Sequence, residues 1–155
     1  MMDPLAVVRP DEWNFPLLLH VFGAMTLVGV LVLATASLAA AWNSGSGSLT
    51  RLGFRALLWA GLPAWILNRV GAEWVADKEG LNTDDPPNWI DMGYMVSDPG
   101  LLLLIAATVL AGIGARRAAR GTGSAVTLDR IAAVLLAISV VAYLVVVWAM
   151  TTQPT

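Results

Sequence analysis

Two groups of residues in this chain are of a type and spacing that could do chemistry. The first is a lone histidine. His20 stands inside a run from Trp13 to Thr50 that carries no charged residue. A titratable group within such an apolar run is costly, and its default reading is a ligand or proton-transfer group. The plainer reading is a neutral imidazole near a membrane interface, bonded to a loop carbonyl or to Asp98. The second group is Trp65, Arg69 and Glu73, spaced i, i+4, i+8 and therefore on one helical face. Asn68 lies beside them and Trp74 follows Glu73. Trp65 can stack on the guanidinium and Glu73 can neutralise it. Such a set could bind a carboxylate, a lipid headgroup or a heme propionate, or it could be a self-satisfied structural pair. Arg55 and Trp59 repeat the arrangement one span-length away, which favours anchoring.

Other chemistries find no footing. There is no cysteine, which excludes disulfides, thiolate metal sites and iron–sulfur clusters. The acidic residues Asp77, Glu79, Asp84, Asp85, Asp91 and Asp98 lie close together, but not at the 1, 3, 5, 7, 9, 12 spacing of an EF-hand. One histidine is too few for a transition-metal site of the usual kind. The two Gly/Ser stretches, Gly45–Ser48 and Gly121–Ser124, lack the lysine of a P-loop. No Ser/His/Asp set falls at one depth, so the reading leans away from an enzyme. A net charge of −2 leaves no basic footprint for nucleic acid.

The elements that must position these residues follow from composition. Of 155 residues, 57% are hydrophobic and only 13% charged, about half the usual charged share of a soluble domain. A single domain of this size could not bury that much apolar surface. The expected fold is all-α, a polytopic membrane protein with a four-helix transmembrane bundle as its one domain, 1–155. A bilayer core takes about 20 helical residues, which places spans at about 15–42, 52–75, 98–116 and 128–150. Arg55 and Arg69 interrupt the second, and each can snorkel toward its nearer interface; Pro63 beside Gly61 should kink it.

Arg51, Arg55, Arg116, Arg117, Arg120 and Arg130 cluster at two loops. The positive-inside rule puts those loops in the cytoplasm. Both termini and the acidic loop 73–98 then face outward, N-out and C-out, in a bacterial cytoplasmic membrane. Asp3, Asp11, Glu12, Asp84 and Asp85 fall on that outer side, with Trp13, Trp74, Trp89, Tyr94 and Trp148 near its interface. The acidic loop is expected to lie as a lid on the bundle, with a short interfacial helix around 88–96. The N-terminus has neither the basic region nor the cleavage site of a signal peptide, so the first helix is expected to be retained. The two Gly/Ser loops hint at a duplicated helical hairpin. Small residues such as Thr35/Ala39 and Thr108/Gly112 predict tight packing at the cytoplasmic half and any cavity in the outer half.

Leu18-Leu19-His20-Val21-Phe22-Gly23-Ala24-Met25, with Gly29 following, resembles the first helix of the copper-resistance D / DUF2269-like group of small four-helix bacterial membrane proteins. The resemblance covers some fifteen residues. It implies a four-helix fold and, by analogy, His20 as a heme ligand. Those proteins carry further histidines and this chain has none. A heme would therefore need Met25, Met92 or Met95, an open position, or a second subunit's histidine across a twofold.

Three functions follow. The first is a non-catalytic accessory or ligand-binding membrane protein with an outer pocket. The second is a heme-binding or electron-transfer protein using His20, and the third a small transporter. The lipid bilayer is the expected partner, with a homodimer or larger membrane complex open.

Overall fold

The computed structural model describes residues 13–81, 88–121 and 125–152. Asp3, Asp11, Glu12, Asp84, Asp85 and the Thr122–Ser124 part of the second Gly/Ser loop lie outside the described residues. The described residues are helical, with no strand among them. The helices are α1 (Asn14–Ser44), α2 (Gly47–Ala56), α3 (Leu62–Lys78), α4 (Asn88–Arg120) and α5 (Val126–Thr152). A π-helical turn, Leu57–Gly61, joins α2 to α3 without a break.

Three helical stretches are long and apolar enough to cross a membrane: Asn14–Ser44, Ile90–Arg120 and Val126–Thr152. The α2–α3 rod lies alongside them, with Arg55 and Arg69 in its length. The π-turn has a local cause. Pro63 has no N–H to donate, and its ring crowds the carbonyl four residues back. Widening the preceding turn, so that the Leu62 N–H reaches the Leu57 carbonyl, takes up the misfit.

The interior is built from small and medium side chains. Leu27, Leu31, Ala34 and Leu38 of α1 pack with Leu57, with Leu104, Ala107 and Ala111 of α4, and with Ala132 and Leu136 of α5. The larger apolar groups Phe22, Met25, Trp59, Leu102, Val141 and Trp148 point outward. Helices apolar on both faces, with the bulk outside, suit a lipid surroundings rather than water.

Glycines set the pairing. α1 runs antiparallel to the α2–α3 rod, with Gly23 against Asn68, Gly61 against Val30 and Gly53 against Leu38. α4 runs antiparallel to α5, with Gly93 against Met150, Gly100 against Tyr143 and Gly114 against Asp129. At the end bearing the arginine-rich loops, α1 and α4 are both followed by a left-handed glycine, Gly45 at φ 68° and Gly121 at φ 63°. That conformation is open to glycine at no steric cost.

The helices overrun the expected spans. The rod extends to Lys78, and α4 begins at Asn88 rather than near 98. Most of the expected acidic loop is thus helix, and the segment read as a separate interfacial helix is the first part of α4. Pro99, which would suit a helix start, sits inside α4. The turns before it are held by the buried Ile90 and Ser97, and tertiary contact outweighs the local signal.

Candidate functional site

At the end of the bundle where α3 finishes and α4 begins, here the acidic end, the helices border a half-open cavity of about 160 Å³. It lies where a cavity is expected from the distribution of small residues. Its origin is a divergence: α3 packs closely on α1 but scarcely on α4, whereas α2 still meets α4 at the other end. The expected tight packing is not confined to the arginine end, however. The backbones of α1 and α3 meet at Gly23 and Gly71, beside the cavity.

Three sequence-expected residues line this space: His20, Asn68 and Arg69. The imidazole bonds neither a loop carbonyl nor Asp98. Its Nδ1 lies 3.2 Å from the main-chain oxygen of Asn68. A carbonyl only accepts, so Nδ1 carries the proton, and in the neutral ring Nε2 is left as an acceptor. The Asn68 side chain is buried and its Oδ1 has no partner among the described residues.

Arg69 forms ion pairs with Glu73 at 3.0 Å and Asp98 at 3.3 Å. Its guanidinium stacks on Tyr94, 4.6 Å from the ring centre, and the Tyr94 hydroxyl donates to Glu73 at 3.3 Å. The expected stacking partner, Trp65, instead donates its indole N–H to the Ser97 carbonyl at 3.2 Å. These polar links bridge α3 and α4 where apolar packing between them is thin. Trp74 does not line the cavity; it meets Phe15 edge to face at 5.9 Å.

Sequence reasoning passed over two residues that complete the site. Ser97 and Tyr143 are buried and both line the cavity; among the described residues neither hydroxyl makes a well-formed hydrogen bond, although the Trp65 indole lies beside that of Tyr143. The available signal was a polar residue inside an apolar run, Tyr143 lying in the uncharged stretch after Arg130. Together with Asn68 they give three residues with a buried, unsatisfied polar atom in the wall of one cavity that is otherwise mostly apolar, including Ala24, Val28, Ala72 and Val146. Each such atom costs about 1–3 kcal/mol unless a rearrangement brings it a partner.

A further buried polar residue lies at the opposite end. Asp129, beside Arg130 at the start of α5, is 2% exposed. The Thr50 hydroxyl donates to its Oδ2 at 2.8 Å, while Oδ1 has no partner. This bond ties α2 to α5.

No group of three metal-ligating side chains occurs among the described residues. The heme reading fits the cavity poorly. About 160 Å³ falls below the roughly 300–1,000 Å³ of ordinary small-molecule sites. Met25 and Met95 point outward, and Met92 is not among the lining residues.

The apolar spanning helices place the chain in the class of helical membrane proteins. No protein-family model, curated protein or solved structure matches it.

Proposed function

We propose that this chain is a small four-span protein of the bacterial cytoplasmic membrane, with both termini outside, that binds a small ligand and performs no catalysis. In this reading the α2–α3 rod is the fourth span, and the acidic end with its cavity faces outward. The arginines near Ser44–Arg51 and Arg116–Arg130 support that orientation. The glycine-lined seams of both hairpins are compatible with a duplicated hairpin. A homodimer or larger membrane complex belongs to the same reading.

One observation carries it: Asn68, Ser97 and Tyr143, each with a buried polar atom that makes no well-formed hydrogen bond among the described residues, stand in the wall of one largely apolar cavity. Apolar walls with a few convergent polar groups are what a small-molecule site requires. Native mass spectrometry of the detergent-purified chain tests this. A retained small molecule that disappears in Ala72→Phe is expected; bare protein in both samples would count against ligand binding.

The heme alternative has His20 Nε2 in its favour, an acceptor on a ring oriented by a main-chain carbonyl, as histidine ligands commonly are. Cavity size and the outward methionines weigh against it. A Soret band lost on His20→Ala would restore it.

A further inference from the structure

The two ends of the bundle differ in how their arginines are matched. Arg69, at the acidic end, is shared between Glu73 and Asp98. Arg51, Arg55, Arg116, Arg117, Arg120 and Arg130 gather at the other end, all of them exposed. Among the described residues the one carboxylate beside them is Asp129, which is buried and bonded to Thr50. None of the six forms an ion pair among the described residues. Arg130 lies instead over the Trp42 ring, 4.9 Å from its centre.

Two of these arginines flank one seam. Gly47 of α2 meets Ala118 of α4, and Gly112 of α4 meets Phe54 of α2. Arg51 and Arg116 each follow such a glycine by four residues, and so share its helical face. Arg51 falls between the two contacts on α2 and Arg116 between them on α4, which sets both at similar depth. Being exposed, they stand along the outer edge of the α2–α4 seam, one on each helix. Like charges so placed repel unless an anion lies between them, and a phosphate accepts from the paired N–H donors of each guanidinium. The neighbouring surface selects the kind of anion. Leu52 beside Arg51, Trp59 one turn beyond Arg55, and Ile113 one turn before Arg116 are all exposed. A molecule anionic at its head and apolar along its length matches both features.

We propose that the outer edge of the α2–α4 seam, between Arg51 and Arg116, seats the phosphate of an anionic phospholipid. Its acyl chains run along Leu52, Trp59 and Ile113. Arg55 and Arg120, each four residues on from the flanking pair, add attraction for the net negative charge. A zwitterionic lipid carries the same phosphate, but its own cation offsets that attraction.

Native mass spectrometry of the full-length chain in detergent, mixed with equal phosphatidylglycerol and phosphatidylcholine of matched chains, tests this. The expected result is about tenfold more phosphatidylglycerol adduct. Arg51→Gln with Arg116→Gln should bring the two lipids to parity. Arg117→Gln with Arg130→Gln removes the same charge beside α5, where Gly114 faces Asp129, and should leave most of the preference. Circular dichroism checks that both pairs of substitutions keep the helices. Excess inorganic phosphate should fail to displace the lipid, because the acyl chains hold it as well. Equal retention of both lipids by the parent chain overturns the proposal. An equal loss in both variants also overturns it, by showing diffuse attraction in place of a seam site. Complete displacement by phosphate would make this a site for the free ion, and overturns the lipid assignment.

Discussion

Gly71 of α3 lies against the backbone of His20 on α1, so close that a methyl group there would come within 2.7 Å of the His20 Cα. Gly23 stands in the same relation to Asn68, its added methyl 2.7 Å from the Asn68 Cα. The two contacts are reciprocal, each glycine facing the residue three before the other glycine. They let the helix axes approach until the His20 ring reaches the Asn68 carbonyl. The site's only histidine is thus oriented by the absence of two side chains.

Replacing either glycine by alanine should therefore push the helices apart at a place where the obstacle is backbone and cannot move aside. The expected cost for Gly23→Ala or Gly71→Ala is about 1–3 kcal/mol, read from unfolding in mixed micelles. The His20 imidazole resonances should shift as the bond to Asn68 lengthens. Gly29→Ala is the control. Nothing lies within 4 Å of its added methyl, so it should be neutral or stabilise the helix by up to about 1 kcal/mol.

How far the sequence foretold these features depended on whether a residue leaves a trace in hydropathy or charge. The scarce charges marked the apolar helices and drew attention to Arg69, Glu73 and Asp98, which do meet. Asn68 and His20 stood out as polar groups in apolar surroundings. Gly23 and Gly71 left no trace, because their effect depends on what faces them across the seam. The burial of Asp129 leaves no trace for a related reason: a charge at the edge of an apolar run looks solvated until Thr50 and Gly114 are known to sit against it. The start of α4 was hidden by Pro99 and its acidic neighbours, local signals that long-range contacts at Ile90 and Ser97 override.

The bond between Thr50 and Asp129 should matter more than its position near a helix end implies. Thr50→Val preserves shape but leaves both carboxylate oxygens of a buried side chain without the hydroxyl, at an expected cost of about 2–3 kcal/mol. Asp129→Asn keeps an acceptor for Thr50 and should cost less. A double-mutant cycle checks the assignment: pairing Thr50→Val with Asp129→Ala, which removes the acceptor, should show coupling of about 0.5–3 kcal/mol, as residues in direct contact do. Strictly additive effects would separate the two residues energetically.

The ion pairs at the cavity mouth should behave in the opposite way, contributing little to stability and more to closure. Asp98 and Glu73 are 65% and 45% exposed in their side chains, and exposed pairs are worth about 0–1 kcal/mol. Asp98→Asn should lower stability by less than about 1 kcal/mol. It should nevertheless speed amide exchange in residues 91–98, since polar links substitute for packing between α3 and α4 there. Raising salt from about 0.1 to 1 M, which shortens the screening length from about 10 to 3 Å, should act in the same direction on the unmodified chain.

Tyr143 offers a test of whether the site is maintained against stability. Its hydroxyl is buried and makes no well-formed hydrogen bond among the described residues, the Trp65 indole lying beside it, a cost of about 1–3 kcal/mol relative to a bonded one. Phenylalanine fills almost the same volume and removes the unmet group. In the absence of ligand, Tyr143→Phe should therefore be as stable as the parent chain or about 1 kcal/mol more stable. A loss of stability would show that the hydroxyl is already bonded, to the Trp65 indole or through a buried water.

Orientation can be tested without disturbing any of these contacts, because the chain has no cysteine and any introduced thiol is unique. Ser46 lies between α1 and α2 at the arginine end; Asp77 is exposed near the close of α3 at the acidic end. With the arginine loops in the cytoplasm, Ser46→Cys in intact cells should resist a membrane-impermeant maleimide until the membrane is permeabilised. Asp77→Cys should react at once. The reverse pattern would turn the molecule over and put the cavity mouth on the cytoplasmic side. Equal labelling of both before permeabilisation would mean that the α2–α3 rod does not cross the bilayer, since Ser46 and Asp77 flank that rod and no other helix.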